Sequence, residues 1–232
     1  MCSLLRTVYQ HDVRVIKVER YDWLRNASGA LTPDYWRGTL RPRPTVDWYL
    51  ERIDDSIQSL DLTTSMETDV VLLAHSAGGW LGRVWMKEND GHSKVNKYIS
   101  LGSPQLAPPK GVLDQTRGIL NYVNNESPGA FHDNVEYVTI CGKWKQGAET
   151  FSVEGFEQWF VGLTYKQTCG NSTAWGDGIT PCEIAHLDGS ERIEIEGCYH
   201  SPIGARVDDS NVDVNRPWYG SESILKKWQQ YI

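Results

Sequence analysis

The chain has 232 residues, a length that fits one α/β domain, and a net charge of −7 at neutral pH. That balance argues against a nucleic-acid partner, because binding phosphates needs clustered Lys and Arg. No run of about 18 or more apolar residues occurs, so no segment reads as a membrane-spanning helix.

Taken in chain order, a short helix is expected to end near Gln10, and Val13–Val18 reads as a strand. Trp23 to Pro44 is a long connection rich in Pro, Gly and Arg. Val46–Ile57 carries apolar residues at helical spacing, with Thr45 placed to cap it. The continuous apolar run Val70–Ala74 predicts a strand buried on both faces, and helix-compatible Trp80–Met86 follows. Lys97–Leu101, Glu136–Gly142 and Glu191–Glu196 are further strands, and Leu113–Val123 is a helix. A last helix, Ser223–Tyr231, can turn Ile224, Leu225 and Trp228 toward the sheet. Strand and helix alternate, which predicts a mostly parallel sheet flanked by helices, in a single domain over 1–232.

The chemistry concentrates where the Val70–Ala74 strand breaks at His75-Ser76-Ala77-Gly78-Gly79. Strand, sharp turn with a serine at its apex, then helix is the layout of a nucleophile elbow. Small residues are needed where strand and helix nearly touch, and Ala74 and Gly78 flank Ser76 at those two positions. A serine hydroxyl needs a base, and the base needs an orienting carboxylate. In this architecture they follow in the order serine, acid, histidine. Asp177 lies between glycines in Trp175-Gly176-Asp177-Gly178, and His200 lies just past the strand Glu191–Glu196. The alternatives are His186 and His75 for the base, Asp188 for the acid and Ser103 for the nucleophile. Pro104 directly after Ser103 denies an oxyanion site the amide it needs, and His75 is expected to point away from the serine. The His and Cys spacings fit no zinc site, and neither a dinucleotide nor a P-loop pattern occurs. No metal or cofactor is therefore expected.

Lys143–Asn171 is longer than a tight connection requires and reads as a lid-like insertion. Its Phe151, Phe156, Trp159 and Phe160 either cover an acyl pocket and touch lipid, or pack as ordinary core. Under the first reading Trp159 and Phe160 bind substrate and the protein makes peripheral membrane contact. Arg37, Arg41 and Arg43 serve either an anionic headgroup or structural staples. Five cysteines at scattered spacing (Cys2, Cys141, Cys169, Cys182, Cys198) predict reduced thiols in an intracellular compartment. Met1–Arg6 offers neither a secretory signal nor a transit peptide, which fits cytoplasm or plastid stroma. The sequons at Asn26, Asn125 and Asn171 are accordingly read as chance.

Arg20–Asn26, Tyr35–Pro44, the Ser76 turn, Leu101–Pro104, Asp114–Gly118, Tyr165–Gln167, Trp175–Gly178, Tyr199–Pro202 and Arg216–Gly220 carry a family resemblance. The chain resembles the lipase-like α/β-hydrolases of plants and photosynthetic microbes, a group described as similar to GPI-inositol deacylase. The resemblance implies a serine esterase acting on a small-molecule or lipid ester, with Ser76, Asp177 and His200 as its triad. The backbone N–H of Ala77 is then one oxyanion donor. A protein of this fold that binds a ligand or partner with little or no turnover, and a thioesterase or amidase, are the rival readings. The resemblance also implies a strand and a Pro-Gly-rich loop ahead of the first helix, the loop supplying the second oxyanion donor. The chain is thus expected to be shortened at its N-terminus, with turnover lowered by about 10²–10³-fold for the lost donor.

Overall fold

The computed structural model describes residues 1–60, 69–202 and 216–232. In chain order its helices are α1 (Cys2–Thr7), α2 (Pro33–Arg37), α3 (Asp47–Gln58), α4 (Ala77–Glu88), α5 (Ile119–Glu126), α6 (Phe156–Cys169), α7 (Cys182–Ala185) and α8 (Glu222–Trp228). A 3₁₀ helix, Arg20–Leu31, precedes α2. The strands are β1 (Val71–His75), β2 (Lys97–Leu101), β3 (Glu136–Lys143), β4 (Lys145–Gln146), β5 (Trp175–Gly176) and β6 (Glu191–Glu196). Four of them form a parallel sheet in the order β1-β2-β3-β6, and β4 pairs antiparallel with β5. This is an α/β architecture, a mostly parallel sheet with helices on both faces.

Side-chain alternation along the strands divides the core. Leu72, Ala74, Tyr98 and Tyr137 face one cluster, closed by Leu50 and Ile53 of α3, Leu81 and Trp85 of α4 and Val123 of α5. Ile99, Leu101, Val138 and Ile140 face the other, closed by Leu5 of α1 and Ile224, Leu225 and Trp228 of α8. Burying each such Leu or Ile side chain contributes about 1.5–3 kcal/mol, which fixes the sheet between its helices. Lys97–Leu101 and Glu191–Glu196 are strands with the boundaries that their sequence indicates.

Several expectations are corrected. Val13–Val18 forms no strand: the carbonyls of Val13 and Lys17 accept from the side chains of Arg6 and Arg52 instead of a ladder. Among the described residues β1 is therefore a sheet edge. Its Leu72 and Ala74 are buried while Val71 and Leu73, on the opposite face, are only half-buried. Thr45 does not cap α3, which begins after Val46 without a side-chain cap. The helix expected from Leu113 begins only at Ile119, because the Asp114 carboxylate binds the N–H groups of Thr116 and Gly118 and holds a turn. Gly118, at φ +115°, ends that turn in a backbone shape open to glycine. The five cysteines are not all free: Cys141 on β3 and Cys182 at the start of α7 form a disulfide, their Cα atoms 5.5 Å apart. The pair lies 41 residues apart and is made by packing, which spacing along the chain does not reveal. Among the described residues no helix is long and apolar enough to cross a membrane.

Candidate active site

β1 runs directly into Ser76, and α4 begins at the next residue. Ser76 sits at φ +55°, ψ −129°, a positive φ that a non-glycine residue adopts only when its surroundings impose it. Here they do: Ser76 N–H donates to Leu101 O at 3.0 Å, and Gly79 N–H donates to Ser76 O at 3.0 Å. A Cβ on Gly78 would lie 3.2 Å from the Tyr49 hydroxyl and 3.9 Å from the Ala74 methyl. The tight neighbour at 78 is thus the Tyr49 hydroxyl, and the Ala74 methyl sits at ordinary contact distance. A Cβ on Gly79 would overlap Ser103, whose buried side chain packs against the elbow helix and is not presented for reaction.

The structure brings His200 and Asp177 to this serine. Ser76 Oγ lies 3.0 Å from His200 Nε2, and Asp177 Oδ2 lies 2.7 Å from His200 Nδ1. The carboxylate therefore accepts a hydrogen bond from Nδ1–H and leaves Nε2 free to accept from the serine hydroxyl. His200 is buried at the end of the loop after β6, and its own N–H donates to Asp177 O at 2.9 Å.

Asp177 is fully buried, a costly place for a carboxylate without donors. It has four. Its Oδ1 accepts from the N–H groups of Ile179 at 3.0 Å and Thr180 at 2.7 Å. Its Oδ2, besides the imidazole, accepts from the Tyr219 hydroxyl at 2.8 Å. Tyr219 oxygen in turn accepts from Gly142 N–H at 2.7 Å. Burial, and then the negative charge of Asp177, push the Tyr219 hydroxyl well above its ordinary pKa, so it stays a donor. A Cβ on Gly102 would lie 2.7 Å from that hydroxyl, so the strand end must be glycine for acid and tyrosine to meet.

His75 is tied to the site through His200. Its Nε2–H donates to His200 O at 2.8 Å, with the two rings 4.8 Å apart. Burial and the neighbouring His200 lower its pKa to about 4, so the ring stays neutral. The remaining alternatives lie elsewhere. His186 Nδ1 bonds Thr139 Oγ1 at 2.9 Å, and Asp188 pairs with Arg192 at 2.6 Å.

A cavity of about 340 Å³ opens beside the serine, lined by Ser76, Ala77 and Trp80 on one side. Trp23, Asn26 and Tyr35 from the N-terminal connection, Leu113 to Arg117, and Gln167 and Thr168 at the end of α6 also line it. Ala77 is the first residue of α4, so its N–H has no helical acceptor and is available at the cavity. Trp159 and Phe160, expected to bind substrate, do not line it. They stand with Phe151 and Phe156 in a ring cluster with 5.3–6.4 Å between centroids, of which Phe160 is 58% exposed. The segment reaches the cavity about two turns further along the same helix, at Gln167 and Thr168. Arg43 is held by Asp47 and Glu88, and Arg37 lies 4.0 Å from Asp34. Among the described residues no group of three or more His, Cys, Asp or Glu side chains is arranged to hold a metal ion.

Residues 46–147, from the start of α3 through the elbow to β4, match the model of the PGAP1-like alpha/beta domain. The chain is also similar to a solved structure of the Bacillus licheniformis lipase BlEst2 in mature form, at 14% identity and a TM-score of 0.41. That likeness covers 67% of this chain and 64% of the lipase, so the chain spans less than two thirds of the lipase's length. No curated protein matches the chain.

Proposed function

Starting from an α/β-hydrolase related to GPI-inositol deacylase, we propose that the chain is a serine hydrolase that cleaves carboxylic esters through an acyl-enzyme. The observation that carries this is the unbroken hydrogen-bond chain from Tyr219 through Asp177 and His200 to Ser76. His200 Nε2 takes the proton of Ser76 as Oγ attacks the ester carbonyl, and Asp177 stabilises the imidazolium that forms. The carbonyl oxygen gains the charge and accepts from Ala77 N–H. Collapse breaks the ester C–O bond, and His200 returns the proton to the leaving alcohol. Water then attacks the acyl carbon with His200 again as base, releasing the acid and restoring Ser76. The largely apolar lining, with Trp80, Leu106 and Leu120, suits an acyl chain.

Steady-state hydrolysis of p-nitrophenyl hexanoate by the wild type, Ser76→Ala and His200→Gln tests the proposal. Turnover by the wild type alone is the expected result. Equal release by all three proteins would refute it and favour a fold that binds without turning over.

A further inference from the structure

Arg117 is a cation on the cavity wall whose charge no described residue answers. Its guanidinium makes neither a hydrogen bond nor an ion pair with any described residue. Its contact is the face of Tyr35, also a lining residue, with Cζ 4.6 Å from the ring centroid. Stacking on a ring satisfies the plane of a guanidinium and leaves the N–H donors at its edge free.

The one other charged side chain among the lining residues is Asp114, and it is already engaged. One of its oxygens accepts from Thr116 N–H and Oγ1–H, the other from Gly118 N–H, at 2.7–2.8 Å. Arg37, Arg41 and Arg43 lie outside the lining.

The backbone presents Arg117 deliberately. The residue sits at φ +55°, an arginine in the left-handed region. Leu40 N–H donates to its carbonyl at 2.8 Å, and a Cβ on the following Gly118 would lie 2.7 Å from Leu40 N. The turn that carries the side chain is thus clamped between the Asp114 carboxylate and the Gly38–Leu40 backbone.

We propose that Arg117 receives an anionic group of the substrate, a carboxylate or phosphate carried away from the scissile ester carbonyl. This assignment rests on the serine-hydrolase reading. The planar edge of the guanidinium matches either anion with two parallel N–H···O bonds, and the apolar surroundings strengthen the attraction. The preferred ester is then amphipathic, with its acyl carbon at Ser76 and its charge at Arg117.

The test uses two matched substrate pairs. Mono-p-nitrophenyl adipate against p-nitrophenyl hexanoate puts the charge on the acyl side. A monoacylglycerol 3-phosphate against the uncharged monoacylglycerol puts it on the alcohol side. The quantity read is the ratio of kcat/KM, anionic over neutral, so any general loss of fold cancels. The wild type is expected to favour the anionic member of one pair, which identifies the source of the charge. Arg117→Met should lower that ratio about tenfold or more, Arg117→Lys should keep part of it, and added salt should erode it. Ratios unchanged within about twofold in both pairs would overturn the assignment. Calorimetric titration of Ser76→Ala and of Ser76→Ala with Arg117→Met, using the same four compounds, separates the two readings. Arg117-dependent anion binding with no Ser76-dependent turnover in the wild type would sink the hydrolase reading and keep the anion site. Turnover with no Arg117-dependent binding or preference would do the reverse.

Discussion

The two walls of the cavity are held by different means. On the nucleophile's side, each functional side chain sits at or just past the end of a sheet strand, and backbone groups fix it. Ser76 is clamped between Leu101 and Gly79, and Asp177 by the amides of Ile179 and Thr180. The facing wall is built from connections that side chains staple together. Arg52 holds Asp22 through two bonds of 2.6 and 2.9 Å, Trp48 Nε1–H binds Asn26 Oδ1 at 2.8 Å, and Asp114 clasps its own turn. The ladder makes one wall insensitive to most local changes. The other can change its residues without disturbing the sheet, which is where selectivity for a substrate belongs.

The sharpest way to break this contrast is to remove the fixed wall's chemistry. Ser76→Ala and His200→Ala should each lower kcat for a p-nitrophenyl ester by about 10⁴–10⁶, and Asp177→Asn by about 10⁴. Stopped-flow and steady-state rates together measure this range. Losses of less than about tenfold would mean that the wall is scaffold and not machinery.

Tyr219→Phe probes how the wall supports its acid. The variant strands Gly142 N–H and removes one of four donors to Asp177. Chemical denaturation should register about 1–3 kcal/mol of lost stability. Losing that donor loosens the carboxylate that orients His200, so kcat for a p-nitrophenyl ester should fall by about tenfold. A stability loss with an unchanged kcat would reduce Tyr219 to a packing role.

His75 gives a pH signature. Its folded-state pKa, about 4, lies below its ordinary 6.5, so the unfolded chain binds the proton more tightly. Its contribution is complete above pH 6.5 and is lost as pH falls from there toward 4. With about 1.4 kcal/mol per unit, the loss is on the order of 3 kcal/mol. His75→Gln should flatten that part of the stability profile.

The smallest effect belongs to the exposed cluster. Phe160→Ser should change stability by no more than about 0.5 kcal/mol and leave hydrolysis of short esters nearly untouched. Selective loss on long-chain esters would support the lid expectation for Lys143–Asn171.

Legibility in the sequence follows the same division. Strand ends announce themselves, because a continuous apolar run such as Val71–Ala74 followed by Ser76 and small residues leaves the chain few shapes. Ser76, Asp177 and His200 could be named from chain order, and they are the residues that the structure joins. Tyr219 was hidden because nothing local to Arg216–Gly220 reveals that its hydroxyl reaches a residue 42 positions earlier. Arg117 was hidden for a related reason: the turn that presents it depends on a side-chain bond from Asp114, and helical spacing suggested a longer α5. Val13–Val18 has the composition of a strand, but a strand needs a neighbour, and its carbonyls are bound by arginines. The Cys141–Cys182 pair is likewise a product of packing between β3 and α7.

Treatment of the wild type with a fluorophosphonate, followed by mass spectrometry of the proteolysed protein, addresses the central claim most directly. A single stoichiometric adduct on the peptide containing Ser76, prevented by His200→Gln and absent from Ser76→Ala, is the predicted result. Labelling spread over several hydroxyls, or equal labelling in the His200→Gln protein, would contradict it.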